Sequence, residues 1–268
     1  MTMVPARRHR VLVHRIPGYR IARVLFSFAI VPLGIFCGGI AAAEDVPVLT
    51  YHTHAPFIVS EGVGLTYDFA AYLNNRADGK FNFKVVPMSR PRLNQMIGKP
   101  GVSIVPWVSP VWFKDKSESI YLWSENPVME DGNAIISLSD RKLVYDGPAS
   151  IGGLTLGGIR GHVYSGIDDF IAASENTRRV DSDNHFVNFE KLRKGRIDVT
   201  LTPDSAAKFL IRSHGLDEEL FISPKPHSRY ARRIMVPNNR TDILAFINDI
   251  LAVGSDDPEW KALFEPYR

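Results

Sequence analysis

Short apolar runs alternate with amphipathic stretches along most of the chain, and that alternation predicts an α/β fold with mainly parallel sheets. Val46 to Tyr51 reads as a first strand, left through a loop at Ala55-Pro56-Phe57. Leu65, Phe69, Tyr72 and Leu73 recur at helical spacing, which predicts a helix over Thr66 to Arg76. Phe81, Phe83 and Val85 share one face of a second strand, Phe81 to Val86. Pro91 suits a first helical position, and Leu93, Met96 and Ile97 give the short helix after it an apolar side. Val102 to Trp107 is a third strand.

The same alternation restarts after Gly147. Leu154 to Ile159 is a strand, followed by a turn at Arg160-Gly161 and by a helical face of Ile167, Phe170 and Ile171. Phe189 to Arg193 is a short helix and Ile197 to Leu201 a strand. Thr202 is placed to cap a further helix that has Pro203 at its first position. Arg233 to Val236 is a last strand. Two helices close the pattern: Thr241 to Leu251, and one opened by Asp257-Pro258. Two successive βαβ patterns with terminal helices predict two Rossmann-like lobes joined by crossing hinge strands. The crossings fall near Asn133 to Leu138 and Tyr230 to Val236. In these terms residues 44–136 are the first part of lobe 1, 137–233 are lobe 2, and 234–268 return to lobe 1.

The first forty-three residues follow another rule. They hold six arginines and no acid, then an uncharged stretch from Val24 to Ala43 that ends in Ala41-Ala42-Ala43. A basic start, an apolar middle and small residues before a cut describe a cleavable secretory signal, which predicts export to the periplasm. The alternative, an uncleaved anchor, is disfavoured by Pro32, Gly34, Gly38 and Gly39 inside the apolar run.

Export changes the electrostatics. The chain carries 32 basic and 29 acidic residues, and losing the six arginines leaves 26 against 29, a net charge of about −3. Nothing in that balance predicts a nucleic-acid partner. Cys37 leaves with the signal, so the exported chain has neither disulfide nor thiolate chemistry. No cofactor and no metal site is expected. His52 and His54 share a face of an extended segment, but two nitrogens without a nearby acid make a weak pair.

Several segments, each degenerate, together resemble a known family. They are His54-Ala55-Pro56-Phe57, Gly64-Leu65-Thr66-Tyr67-Asp68-Phe69, Ser124-Glu125-Asn126-Pro127, Leu154 to Gly161, and Leu192-Arg193-Lys194-Gly195-Arg196-Ile197-Asp198. Their order resembles the family 3 extracellular solute-binding proteins, the periplasmic amino-acid-binding type, over nearly all of the exported chain. The resemblance implies a type II periplasmic binding fold that closes on a small polar solute, an amino acid or related compound. It also implies a monomer whose closed state is read by the membrane permease of an ABC transporter.

The resemblance places the ligand at the strand ends. In amino-acid-binding members an arginine after the third strand grips the carboxylate, and Trp112 stands there in this sequence. Ungapped from Asp198, Pro203 takes the position of the acid that meets the amine, with Asp204 beside it. The candidate lining is therefore aromatic and polar: His54 and Phe57 from the first loop, Trp107, Ser109 and Trp112 from the third, and Arg90 as a substitute charge. Lobe 2 offers Gly161, His162 and Tyr164, then Thr202 and Asp204. For both tryptophans the alternative is ordinary packing, for Arg90 a surface position, and for Thr202 and Asp204 a purely helical role. Two other functions remain open. One is an exported lyase of the cyclohexadienyl-dehydratase type, with His54, His162, Glu125 and Asp204 as candidate acids and bases. The other is a sensing module for a membrane kinase.

Overall fold

The apolar alternation does become two β-sheets, laced together by two strands that belong to both halves of the molecule. The computed structural model describes residues 42–97, 101–254 and 256–267. The segment read from the sequence as an export signal, with Cys37, therefore lies outside the described residues apart from its last two alanines.

In lobe 1, β1 (Glu44–Thr50) pairs in parallel with β2 (Phe81–Pro87), Val46 opposite Phe83. β1 also meets the chain leading into β3 (Val105–Val108), where Leu49 N–H donates to Ile104 O at 2.9 Å. The long strand β10 (Ser228–Val236) lies antiparallel to β3 and pairs as well with the two-residue β4 (Leu122–Trp123). Lobe 1 thus has the order β2-β1-β3-β10-β4.

Lobe 2 repeats it. β6 (Thr155–Ile159) runs parallel to both β7 (Arg178–Ser182) and β8 (Val199–Pro203). β5 (Met129–Leu138) is antiparallel to β8 and to β9 (Leu220–Ile222), which gives β7-β6-β8-β5-β9. β5 and β10 pair with each other from Asn133↔Ser228 to Met129↔Arg232. Past Asn133 that edge of β5 passes from β10 to β9, which pairs with it from Ile136 to Leu138.

Helices cover the sheets. α1 (Leu65–Arg76) buries Leu65, Phe69 and Leu73 in one cluster with Val46, Phe83, Trp107 and Ile234. α6 (Thr241–Val253) and α7 (Pro258–Phe264) add Ile243, Ile247, Trp260 and Leu263 to the same cluster. Asp257 caps α7 by accepting from Glu259 N–H at 2.8 Å, with Pro258 first in the helix. α2 (Arg90–Ile97) contributes a single buried residue, Leu93.

In lobe 2, α3 (Ile167–Ala172) covers one face of the sheet, while α4 (His185–Arg193) and α5 (Asp204–Ser213) bury Phe189, Leu192, Ala207 and Leu210 on the other. One expectation is corrected here. Thr202 does not cap α5: it is still in β8, and α5 begins at Asp204. The cap comes from another strand, because Asp131 of β5 accepts from Ser205 N–H at 3.1 Å and from its hydroxyl at 2.8 Å.

Candidate functional site

Parallel strands in open α/β sheets present their carboxyl ends to a crevice, and here both lobes do so face to face. β1 leads into the segment from Tyr51 to Phe57, and β3 into Ser109 to Phe113. From lobe 2, β6 leads into Gly161 to Tyr164, and β7 into His185 at the start of α4. The facing loops touch. The His54 ring centre lies 5.1 Å from that of His185, which in turn lies 6.4 Å from His162. His52 stands 5.9 Å behind His54. Ala55 packs against the lobe 2 cluster.

Beside these histidines is a buried ion pair that sequence reasoning missed. Arg232 of β10 donates from Nε to Asp131 at 2.7 Å, and both side chains are 1% exposed. Its Nη1 donates to the carbonyl of Trp107 at 2.7 Å and lies 3.5 Å from His52 Nε2. The guanidinium also sits over the rings of Phe57 (4.7 Å), Tyr230 (5.2 Å) and Trp112 (5.4 Å). Asp131 in turn holds Ser205. One guanidinium–carboxylate unit therefore joins β3, both crossing strands and the first turn of α5.

The individual candidates sort out as follows. Trp107 is fully buried among Phe57 and Phe69, and its indole N–H donates to Thr66 Oγ1 at 3.0 Å. Its ring is core, and only its carbonyl enters the site. Phe57 is equally buried but forms the floor beneath Arg232. Trp112 is half-buried against Tyr230 (4.9 Å) and His52 (6.1 Å) and faces the junction. Ser109 is 9% exposed. Arg90 braces the loop from behind. It donates to Trp112 O at 2.6 Å and stacks on Tyr51 and Phe113.

In lobe 2, Gly161 takes φ 79°, a turn that favours glycine, and His162 is exposed on it. Tyr164 turns inward: it is 4% exposed, accepts from Ile159 N–H at 3.1 Å, and belongs to the core. Thr202 is fully buried with a hydroxyl that has no partner. Asp204 pairs with Lys208 at 2.7 Å. Asp204 also lines a groove of about 550 Å³ between the lobes, with Pro56, Glu130, Ser205 and Trp260, but the histidines do not border it.

The histidines are held neutral. Burial pulls His52 well below the ordinary range, helped by the charge of Arg232. Burial brings His54 from 6.5 to about 4, and it keeps His185 well below 6.5, with His54 adding repulsion. His162, on the exposed turn, is lowered too, by the protein packed around part of its ring and by the charge of Arg179. From about pH 6.5 down to about 4 the unfolded chain therefore binds more protons than the folded one, so folded stability falls as the pH drops through that window. Melting temperatures measured between pH 7.5 and 4.5 should decline, and less steeply in His54→Gln. Equal slopes in both proteins would remove His54 from the cause.

No family model matches the chain, and no curated protein matches it. The fold is nonetheless clear: it is that of the type II periplasmic binding proteins, with two lobes. A mutant of ArgBP from T. maritima superposes with a TM-score of 0.62 at 20% identity, covering 84% of this chain and 95% of that one. An ancestral amino acid-binding protein, described as a precursor of cyclohexadienyl dehydratase, gives 0.64 at 15% identity, with 84% and 95% covered. The substrate binding protein of an amino acid ABC transporter gives 0.61 at 14% identity, with 84% and 99% covered.

Proposed function

We propose that the chain is an exported solute-binding protein that closes on a small polar molecule and delivers it to an ABC-type permease. One observation carries this reading. The polar groups at the strand ends come from both lobes and meet across the interface between them, His54 against His185. A ligand touching both sides stabilises the closed form by its differential contacts. The fold supports the reading, as does the solute-binding role printed for two of its neighbours. The export signal supports delivery in the periplasm. A free amino acid is not assumed, because Trp112 replaces the expected arginine and Arg232 already spends donors on Asp131 and Trp107.

A thermal-shift screen of the exported protein against amino acids, polyamines, aromatic acids and short peptides tests the proposal. A ligand at a hundred times its dissociation constant should add about 2.7 kcal/mol of stability, together with a smaller radius of gyration in solution scattering. A screen with neither change would sink it. Trp112→Ala should weaken the hit by about 2–30-fold, the equivalent of the roughly 0.5–2 kcal/mol of an aromatic–cation contact. Unliganded stability should change little, since Trp112 is half-buried. Unchanged affinity would remove Trp112 from the site. The second reading, a lyase, draws on the neutral imidazoles of the crevice, and turnover of prephenate or arogenate would favour it over binding alone.

A further inference from the structure

Two imidazoles meet edge to face across the cleft, and each has a ring nitrogen without a hydrogen-bond partner. His54 Nδ1 lies 2.9 Å from Ala55 O. A carbonyl only accepts, so Nδ1 carries the proton and Nε2 is left as a free lone pair. His185 is 4% exposed, and its Nδ1 is buried without a partner. A buried nitrogen in that state calls for an occupant. Thr202, one residue beyond the Leu201 carbonyl that neighbours the His185 ring, has an orphaned hydroxyl as well.

The spacing narrows the choice of occupant. Two imidazoles on one tetrahedral divalent ion, with metal–nitrogen bonds of ~2.0–2.1 Å, hold their ring centres roughly 5 Å apart. The observed separation is 5.1 Å with planes at 80°. The backbone bond at His54 Nδ1 is the outer support that metal-bound histidines have. No thiolate competes for the ion in the exported chain. The nearby Arg232 is neutralised by Asp131, so no uncompensated cation opposes the ion. An organic ammonium would also satisfy lone pairs. It would leave the neutral imidazoles without the carboxylate that ordinarily shares its charge.

We propose that the closed cleft takes its solute through a divalent d-block ion, bound between Nε2 of His54 and Nδ1 of His185. This rests on the solute-binding reading and gives it a ligand class. Among the described residues no group of three His, Cys, Asp or Glu side chains is placed to hold an ion. The chain therefore supplies two donors, and water or a chelator carried with the ion supplies the rest. Imidazole suits Zn²⁺, Ni²⁺ and Cu²⁺. His227 Nδ1 is orphaned too, but its ring neighbour is Tyr145 at 6.3 Å, and it serves as the control.

The experiment is calorimetric titration of the untagged, exported protein with Ni²⁺ and Zn²⁺, each as the bare ion and as its citrate complex. One-to-one binding is expected in at least one arm, and the arm that binds distinguishes a free ion from a chelate. His54→Gln and His185→Asn should each weaken it beyond the roughly 10–100-fold that follows loss of a ligand's outer support. His227→Ala should leave it unchanged. If His185→Asn fails to fold, the loop variant His54→Gln decides the matter alone. Binding that survives His54→Gln, or no binding in either arm, overturns the metal proposal. The organic screen repeated in chelator judges the parent reading separately: a hit there with no metal binding keeps the solute-binding protein and discards only the ion.

Discussion

Asp131→Ala should destabilise the unliganded protein by about 3–5 kcal/mol, because it strands the Arg232 guanidinium in a site 1% exposed to water. The carboxylate does more than neutralise. It accepts from Arg232 Nε, from the Ser205 amide and hydroxyl, and from Gly132 N–H at 2.8 Å. Its loss therefore leaves both the start of α5 and the guanidinium unsatisfied. The penalty belongs to the broken pair rather than to the absence of a pair. A double replacement, Asp131→Leu with Arg232→Met, should recover much of the loss, since apolar residues of similar volume often equal or exceed a buried ion pair. Urea denaturation of the single and double variants measures both. A single variant within about 1 kcal/mol of the parent, the range of exposed pairs, would show that water reaches the pair and that it is not the bolt between the lobes.

Trp107→Ala should cost a similar amount, about 3–5 kcal/mol, as large aromatic truncations in cores do. The ring has no exposure and packs on Phe57 at 5.5 Å and on Phe69 at 5.0 Å. Its removal also strips the buried Thr66 hydroxyl of its donor. Trp107 further sits at φ 67°, so the backbone holds an unfavourable conformation that the ring's packing helps to maintain. The contact to Arg232 is made by the Trp107 carbonyl and survives the substitution. Denaturation midpoints should thus fall sharply while the folded fraction keeps its ligand affinity. This is the reverse of the pattern expected for Trp112. A variant of normal stability that no longer bound ligand would return the ring to the crevice.

Much of the architecture can be read from residue alternation because most strands carry strong apolar faces. β7 cannot be read that way. Its sequence Arg178-Arg179-Val180-Asp181-Ser182 lies at the edge of lobe 2, where Arg179 pairs outward with Asp168 and Asp181. In the crevice, sequence order identified the loops but not which side chains they expose. Trp107 and Tyr164 turn into their own lobes, and Arg90 folds behind its loop. Asp131 and Arg232 are 101 positions apart and belong to no motif. A signal was present for Arg232, since it shares strand parity with the buried Ile234 and Val236. A charge on the apolar side of a strand should have suggested a buried partner. For His185 no comparable signal existed, since its role depends on a loop of the opposite lobe.

The shared strand order also bears on how the molecule is assembled. Lobe 2 is continuous in sequence from β5 through β9, so its pairings close once that single stretch is made. Lobe 1 is not: β3 waits for β10, and the Trp107–Arg232 bond closes a span of 125 positions. Closing so long a loop is entropically costly, and non-local pairings of this kind slow folding. A chain made from its amino end reaches a stage at which lobe 2 can be whole while lobe 1 still lacks its fourth strand and both C-terminal helices. The part synthesised first is completed last.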